Sequence, residues 1–153
     1  MPARAQMRIR VTAWWLTRAT VSPAPNFAFG LCVERIRDEE IEGIDLSTWR
    51  VALCGAEPVA ASVLRAFQTR FESWGLRPEA LTPVYGLSEA SLAVTFSDVA
   101  RPFVSRRFDR EGLSGDGEAR VVEDGVEIVS VGKPLPGFSL EIVDGSGAPL
   151  PES

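Results

Sequence analysis

The sequence predicts an α/β protein: a parallel strand–helix–strand core followed by a β-rich layer. Three observations predict it. RVALC, Arg50 to Cys54, is an apolar run ending at a glycine, as expected of a buried strand. VAASVLRAFQTRFESW then sets Val63, Leu64, Phe67, Phe71 and Trp74 at helical spacing, an amphipathic helix of roughly four turns. LTPVYG follows as a second buried strand. Strand, helix, strand in this order implies a parallel pair joined by a right-handed crossover.

The remaining elements follow in chain order. Residues 1–17, MPARAQMRIRVTAWWLT, form a poorly defined segment, basic and then briefly apolar. No small-residue cleavage site follows it, which argues against a signal peptide. RATVS, Arg18 to Ser22, predicts a short strand, and Pro23 and Pro25 predict a loop after it. NFAFGLCVERI predicts a helix, with Phe27, Leu31 and Ile36 apolar and Asn26 as its cap. The acidic stretch RDEEIEGIDLSTW reads as a short surface helix or turn, and Gly75 as a left-handed cap on the long helix. From about residue 95 the texture changes, dividing an α/β part (about 18–94) from a β-rich part (about 95–153). RPFVSRRFD, EARVV, VEIVSVGK and SLEIVD are short β-type runs, and GLSGDGE is a glycine-rich loop. VGKPLPG, Val131 to Gly137, reads as a rigid turn between two strands.

Composition narrows the chemistry. The chain has 153 residues, 45% hydrophobic and 24% charged, which suits one globular domain with a real core. A net charge of -5 argues against a nucleic-acid binder. There is no histidine, so the commonest general base and any Ser-His-Asp triad are excluded. Lys133 is the only lysine, and its surroundings predict a solvated side chain. Cys32 and Cys54 lie in apolar runs without CxxC spacing, which predicts buried free thiols and a reducing, cytoplasmic setting. No apolar run approaches the ~18 residues of a membrane span.

Two motifs sit where ligands gather in open α/β sheets, at the carboxyl ends of the predicted strands. In GAEP, Gly55, Ala56, Glu57 and Pro58 form either a backbone loop closing over a flat heterocycle or a plain strand-to-helix turn with Pro58 at the helix start. In YGLSE, Tyr85 offers a face for a base, Gly86 a flexible link, Ser88 a donor to phosphate and Glu89 a hard ligand for a metal. The same residues also suit a core tyrosine, a helix cap and a first-turn carboxylate. In SPAPNFAFG, Asn26, Phe27 and Phe29 either wall an apolar ligand slot or bury an aromatic helix face. The residues alone leave each pair open.

Taken together, RATVSPAPNFAFGLC, LSTWRVALCGAEPV, YGLSEAS and SVGKPLPGFSLEIVD resemble, in order and approximate spacing, segments of the fatty-acyl-AMP ligases, members of the adenylate-forming superfamily. The resemblance runs over most of Arg18 to Pro151. SRRFDREGLSGDGEARVV resembles an insertion typical of these ligases and absent from most acyl-CoA synthetases. The resemblance implies part of the large N-terminal domain of such an enzyme, which activates a fatty acid with ATP and Mg²⁺ to acyl-adenylate and pyrophosphate. An acyl carrier protein or polyketide synthase is then the implied partner. Gly55, Ala56, Glu57 and Pro58 would line the adenine, with Tyr85 and Gly86 against it. Ser88 would face the α-phosphate, Glu89 would ligate Mg²⁺, and Phe27 and Phe29 would border the acyl tunnel. Serine stands at 88 where many of these ligases carry alanine, and SPAP stands where the family pattern has SGGP. The lysine-ending phosphate loop, the ribose-binding aspartate motif and the small C-terminal lysine domain find no match here. The expectation is therefore a fragment inactive alone, with a non-catalytic adenylate-binding or interaction module, or a piece of a long-chain acyl-CoA synthetase, as alternatives.

Overall fold

The apolar run at 51–55 forms strand β2, Val51–Gly55, one residue later at each end than its sequence pattern indicates. The structure, a computed structural model, describes residues 18–90, 92–114 and 118–150. Strand β1, Val21–Pro25, and strand β3, Leu81–Tyr85, flank β2, both parallel to it. Helix α1, Asn26–Arg35, follows β1, and helix α2, Ala61–Phe71, follows β2. The expected strand–helix–strand unit is thus present, preceded by a second one.

The core forms where the apolar stripes of both helices meet the sheet. Phe29 of α1, Leu64, Phe67 and Phe71 of α2, Ala52 and Cys54 of β2 and Leu81 of β3 belong to one buried cluster. Phe67 stands edge-on to Phe29, with ring centres 5.0 Å apart, and to Trp49 at 6.1 Å. Burying a side chain of this size stabilises by about 1.5–3 kcal/mol, so this stripe dominates the local energetics. Helix α2 tightens into a 3-10 turn, Glu72–Trp74, and ends at Gly75 with φ of 87°. Arg70 pins that end to the preceding loop, pairing with Asp38 and lying over the rings of Phe71 and Trp74.

Beyond β3 the sheet turns antiparallel. Strand β4, Thr95–Phe96, pairs with β3. Strands β5, Ser105–Phe108, and β6, Val126–Val129, form a separate antiparallel pair, with helix α3, Arg110–Ser114, in their connection. Strand β7, Lys133–Pro134, pairs with β4, giving the main sheet the order β1-β2-β3-β4-β7. Arg65 of α2 ties the smaller sheet to the larger: Nη1 donates to Glu127 Oε2 at 3.1 Å, and Nη2 donates to Glu127 Oε1 and to Ser105 Oγ.

Five local expectations are corrected. Pro23 and Pro25 lie within β1 and not in a loop, because among the described residues β1 is an edge strand. Residues two apart direct their nitrogens to the same side, and an edge strand has one side needing no donor. Asn26 does not cap α1: the flanking residue is Pro25, and Asn26 lies inside the helix with its amide engaged elsewhere. Lys133 and Pro134 form a strand where VGKPLPG suggested only a turn, since β4 leaves an open edge for them. SLEIVD forms no regular strand; only Val143 bridges, to Pro149 across a turn held by Asp144. Of GLSGDGE, Gly112 to Ser114 complete α3, and 115–117 lie outside the described residues, as does the segment 1–17. Among the described residues no helix is long and apolar enough to cross a membrane.

Candidate functional site

Strands β1, β2 and β3 run parallel and end at Pro25, Gly55 and Tyr85, so the three motifs emerge side by side from one edge of the sheet. The β2–β3 register pairs Cys54 with Pro83, and Gly55 lies against Val84. A β-carbon at Gly55 would lie 2.9 Å from the Val84 carbonyl oxygen, so only glycine allows this approach. Ala56 follows with φ of 66°, a left-handed conformation that alanine rarely adopts and that costs on the order of 1–3 kcal/mol.

Tyr85 ends β3 with 49% of its surface exposed, so it is not a core residue of the described chain. Gly86 comes next, and a β-carbon there would sit on the Leu92 carbonyl. Leu92 and Val94 fold back on Leu87 and Tyr85. The Leu92 N–H donates to the Leu87 carbonyl at 2.9 Å, and the Val94 N–H to the Tyr85 carbonyl at 3.0 Å. The 3-10 turn Ser88–Ala90 forms the outer bend, with Ser88 and Glu89 exposed.

Asn26, Phe27 and Phe29 separate. Asn26 is 6% exposed; its Nδ2 donates to Cys54 Sγ at 3.7 Å and its Oδ1 accepts from the Ala60 N–H at 3.3 Å. Phe27 is 58% exposed beside the loop that follows Gly55. Phe29 is 2% exposed and packs on Phe67, so it serves the core while Phe27 is open to solvent. Glu57 turns towards α1, where its Oε1 accepts from the Phe27 N–H at 2.6 Å. Sequence reasoning missed Ala60 and Cys54 as partners of this loop. The Glu57 link spans 30 residues and left no local signal in the sequence.

Burial pushes the Cys54 thiol up to about 11, and that of Cys32 likewise, so both stay protonated at neutral pH. Among the described residues no group of three or more Cys, Asp or Glu side chains could hold a metal. Glu89 supplies one exposed carboxylate. That suits Mg²⁺, which is typically held by one or two carboxylates together with substrate phosphates. A cavity of about 190 Å³ lies at the opposite end of the strands, lined by Arg18, Ile36, Trp49, Phe67 and Phe71 among others. It shares no residue with the three motifs.

Comparisons with known proteins bear on the family of the chain. The chain is 40% identical over 130 residues to a 4-hydroxyphenylalkanoate adenylyltransferase of Mycobacterium tuberculosis, covering 83% of this chain and 21% of that protein. It is 38% identical over 115 residues to the long-chain-fatty-acid–AMP ligase FadD23 of the same species, covering 75% and 20%. The chain therefore spans about a fifth of the length of these curated relatives. Solved structures of fatty acyl-adenylate ligases from E. coli and L. pneumophila include a chain that superposes with a TM-score of 0.86 at 36% identity, over 97% of this chain and 28% of that one. The family model described as AMP-binding enzyme matches residues 4–153, nearly the whole sequence. With its motifs gathered at one sheet edge and this match along its length, the chain belongs to the AMP-binding enzyme family.

Proposed function

We propose that this chain supplies one wall of the adenylate site of a fatty-acyl-AMP ligase. The observation that carries the reading is the emergence of Gly55–Pro58 and Tyr85–Glu89 from neighbouring parallel strands. Glycine at 55 lets the backbone close on a flat base, and the exposed Tyr85 ring stacks on it. Ser88 and the amides of its turn face the α-phosphate, and Glu89 holds Mg²⁺. In the whole enzyme a fatty carboxylate attacks the α-phosphorus of ATP and pyrophosphate leaves. Mg²⁺, when bound, neutralises phosphate charge. The protein's part is orientation and charge stabilisation, which needs no histidine. The excursion between β5 and the bridge at Val121 supports an acyl-AMP ligase over an acyl-CoA synthetase, because the distinguishing insertion is expected there. An acyl carrier protein or polyketide synthase then takes the acyl group.

On this reading the 153 residues bind AMP, and turnover draws on a lysine-ending phosphate loop that they do not include. Titration calorimetry with AMP tests the reading. The expected result is weak saturable binding that Tyr85→Ala reduces about tenfold or more, since base–aromatic stacking is worth ~1–3 kcal/mol. No binding, or binding indifferent to Tyr85, overturns the reading. Production of acyl-AMP by the purified chain overturns its limitation to binding.

A further inference from the structure

Helix α1 starts without a cap of its own, because Pro25 has no side-chain oxygen to offer its first amides. The acceptor arrives from 30 residues downstream, as Glu57 Oε1 takes the Phe27 N–H at 2.6 Å. The adjacent residue makes the reciprocal link: Asn26 Oδ1 takes the Ala60 N–H at 3.3 Å. A loop side chain thus holds the helix backbone, and a helix side chain holds the loop backbone. Asn26 is almost fully buried, and its other amide atom, Nδ2, reaches Cys54 at the end of β2. Between the anchor points lies Ala56 in its left-handed conformation.

We propose that Glu57 and Asn26 form a two-bond latch that positions the nucleotide wall, with Glu57 acting on α1 and not on the base. The inference rests on the reading of Gly55–Pro58 and Tyr85 as that wall. A strained alanine persists only where its surroundings over-determine it; the latch supplies that constraint after Ala56, and the Asn26 Nδ2 bond to Cys54 supplies it before. A carboxylate on a first-turn amide gains from a charge-assisted bond and from the helix dipole together. The same bond fixes the exposed Phe27. One carboxylate therefore couples the residue expected beside the acyl chain to the loop expected beside the base.

The test is residue-resolved amide exchange on the 153-residue chain, run beside AMP titration and thermal melting. Glu57→Ala is expected to speed exchange at both Phe27 and Ala60 and to weaken AMP binding, each about tenfold, as loss of a bond to a charged group would. Glu57→Gln keeps an oxygen acceptor and recovers most of both effects. Arg65→Met, away from the site, loosens β5–β6 and leaves AMP affinity unchanged; a merely structural Glu57 would behave the same way. Glu57→Asp, one methylene short, gives the same readout if the alanine variant fails to fold. Unchanged Phe27 exchange in Glu57→Ala overturns the proposal. So does faster Phe27 exchange with Ala60 and AMP binding unaffected. If the wild-type chain binds no AMP, the proposed function falls, and Ala60 exchange alone decides the latch: faster in Glu57→Ala supports it, unchanged refutes it.

Discussion

The first three strands and the last fifty described residues obey different physics. Among the described residues the buried hydrophobic side chains run from Phe29 to Val94, and past that point only Val129 joins them. Phe138, Leu140, Ile142, Val143 and Leu150 remain 41% to 71% exposed. Two helices cover β1–β3, whereas β5–β6 is held to α2 chiefly by the Arg65–Glu127–Ser105 cluster, with Arg65 also over the Phe103 ring. The first region is stabilised by burial and the second by charge and hydrogen bonding. They should therefore respond to different perturbations, and the site belongs to the first.

The largest effect should come from the core of the first region. Phe67→Ala removes the ring that Phe29, Trp49 and Phe71 pack on, and should cost about 3–5 kcal/mol in denaturant unfolding. A loss below about 1 kcal/mol would mean that burial is not what holds this half. Next comes Gly86→Ala, whose new methyl group meets the Leu92 backbone. The expected outcome is faster amide exchange at Leu92 and Val94 and a loss of AMP affinity, with α2 still protected.

Acid should separate the two regions. The hydrogen bond from Arg65, then that from Ser105, holds the Glu127 carboxyl down at about 2, against an ordinary 4.5. A carboxylate lowered on folding contributes stability that is fully present above its ordinary value and lost as pH falls through it towards the folded one. Amides of β5 and β6 should lose protection between pH 4.5 and about 2 while those of α2 keep theirs. The backbone bonds from Arg120 and Gly112 lower Asp109 in the same sense, so the α3 connection should loosen alongside. Loss of protection in both regions at one pH would erase the distinction. The smallest effect on stability is expected from Ile142→Ser, within about 0.5 kcal/mol. Its readout is light scattering: less self-association than the parent chain if the exposed apolar stretch drives it.

What the sequence made legible follows the same division. Helix α2 and strands β2 and β3 declare themselves because Leu64, Phe67 and Phe71 repeat with the helical period and VALC is apolar throughout; burial writes itself into such patterns. Strand β1 was read as Arg18 to Ser22, and its second half was hidden by Pro23 and Pro25, which fit because the strand is an edge among the described residues, a fact of topology that no local pattern carries. Strand β7 was hidden because two residues, Lys133 and Pro134, pair with an open edge without any alternation of their own. SLEIVD misled in the opposite direction, showing β-type residues with no neighbouring strand to pair with. Strand order correctly put Gly55 and Tyr85 at the ends of neighbouring parallel strands. The inward turn of Glu57 depends on a contact across 30 residues and had no sequence pattern of its own.

The measurement that bears most directly on this account is AMP titration of the parent chain against Tyr85→Ala. If the loop after β2 and the ring ending β3 make one wall for a purine nucleotide, the parent gives saturable heat and the variant loses most of it. Equal heats from both proteins, or none from either, would contradict the assignment of that sheet edge to the nucleotide.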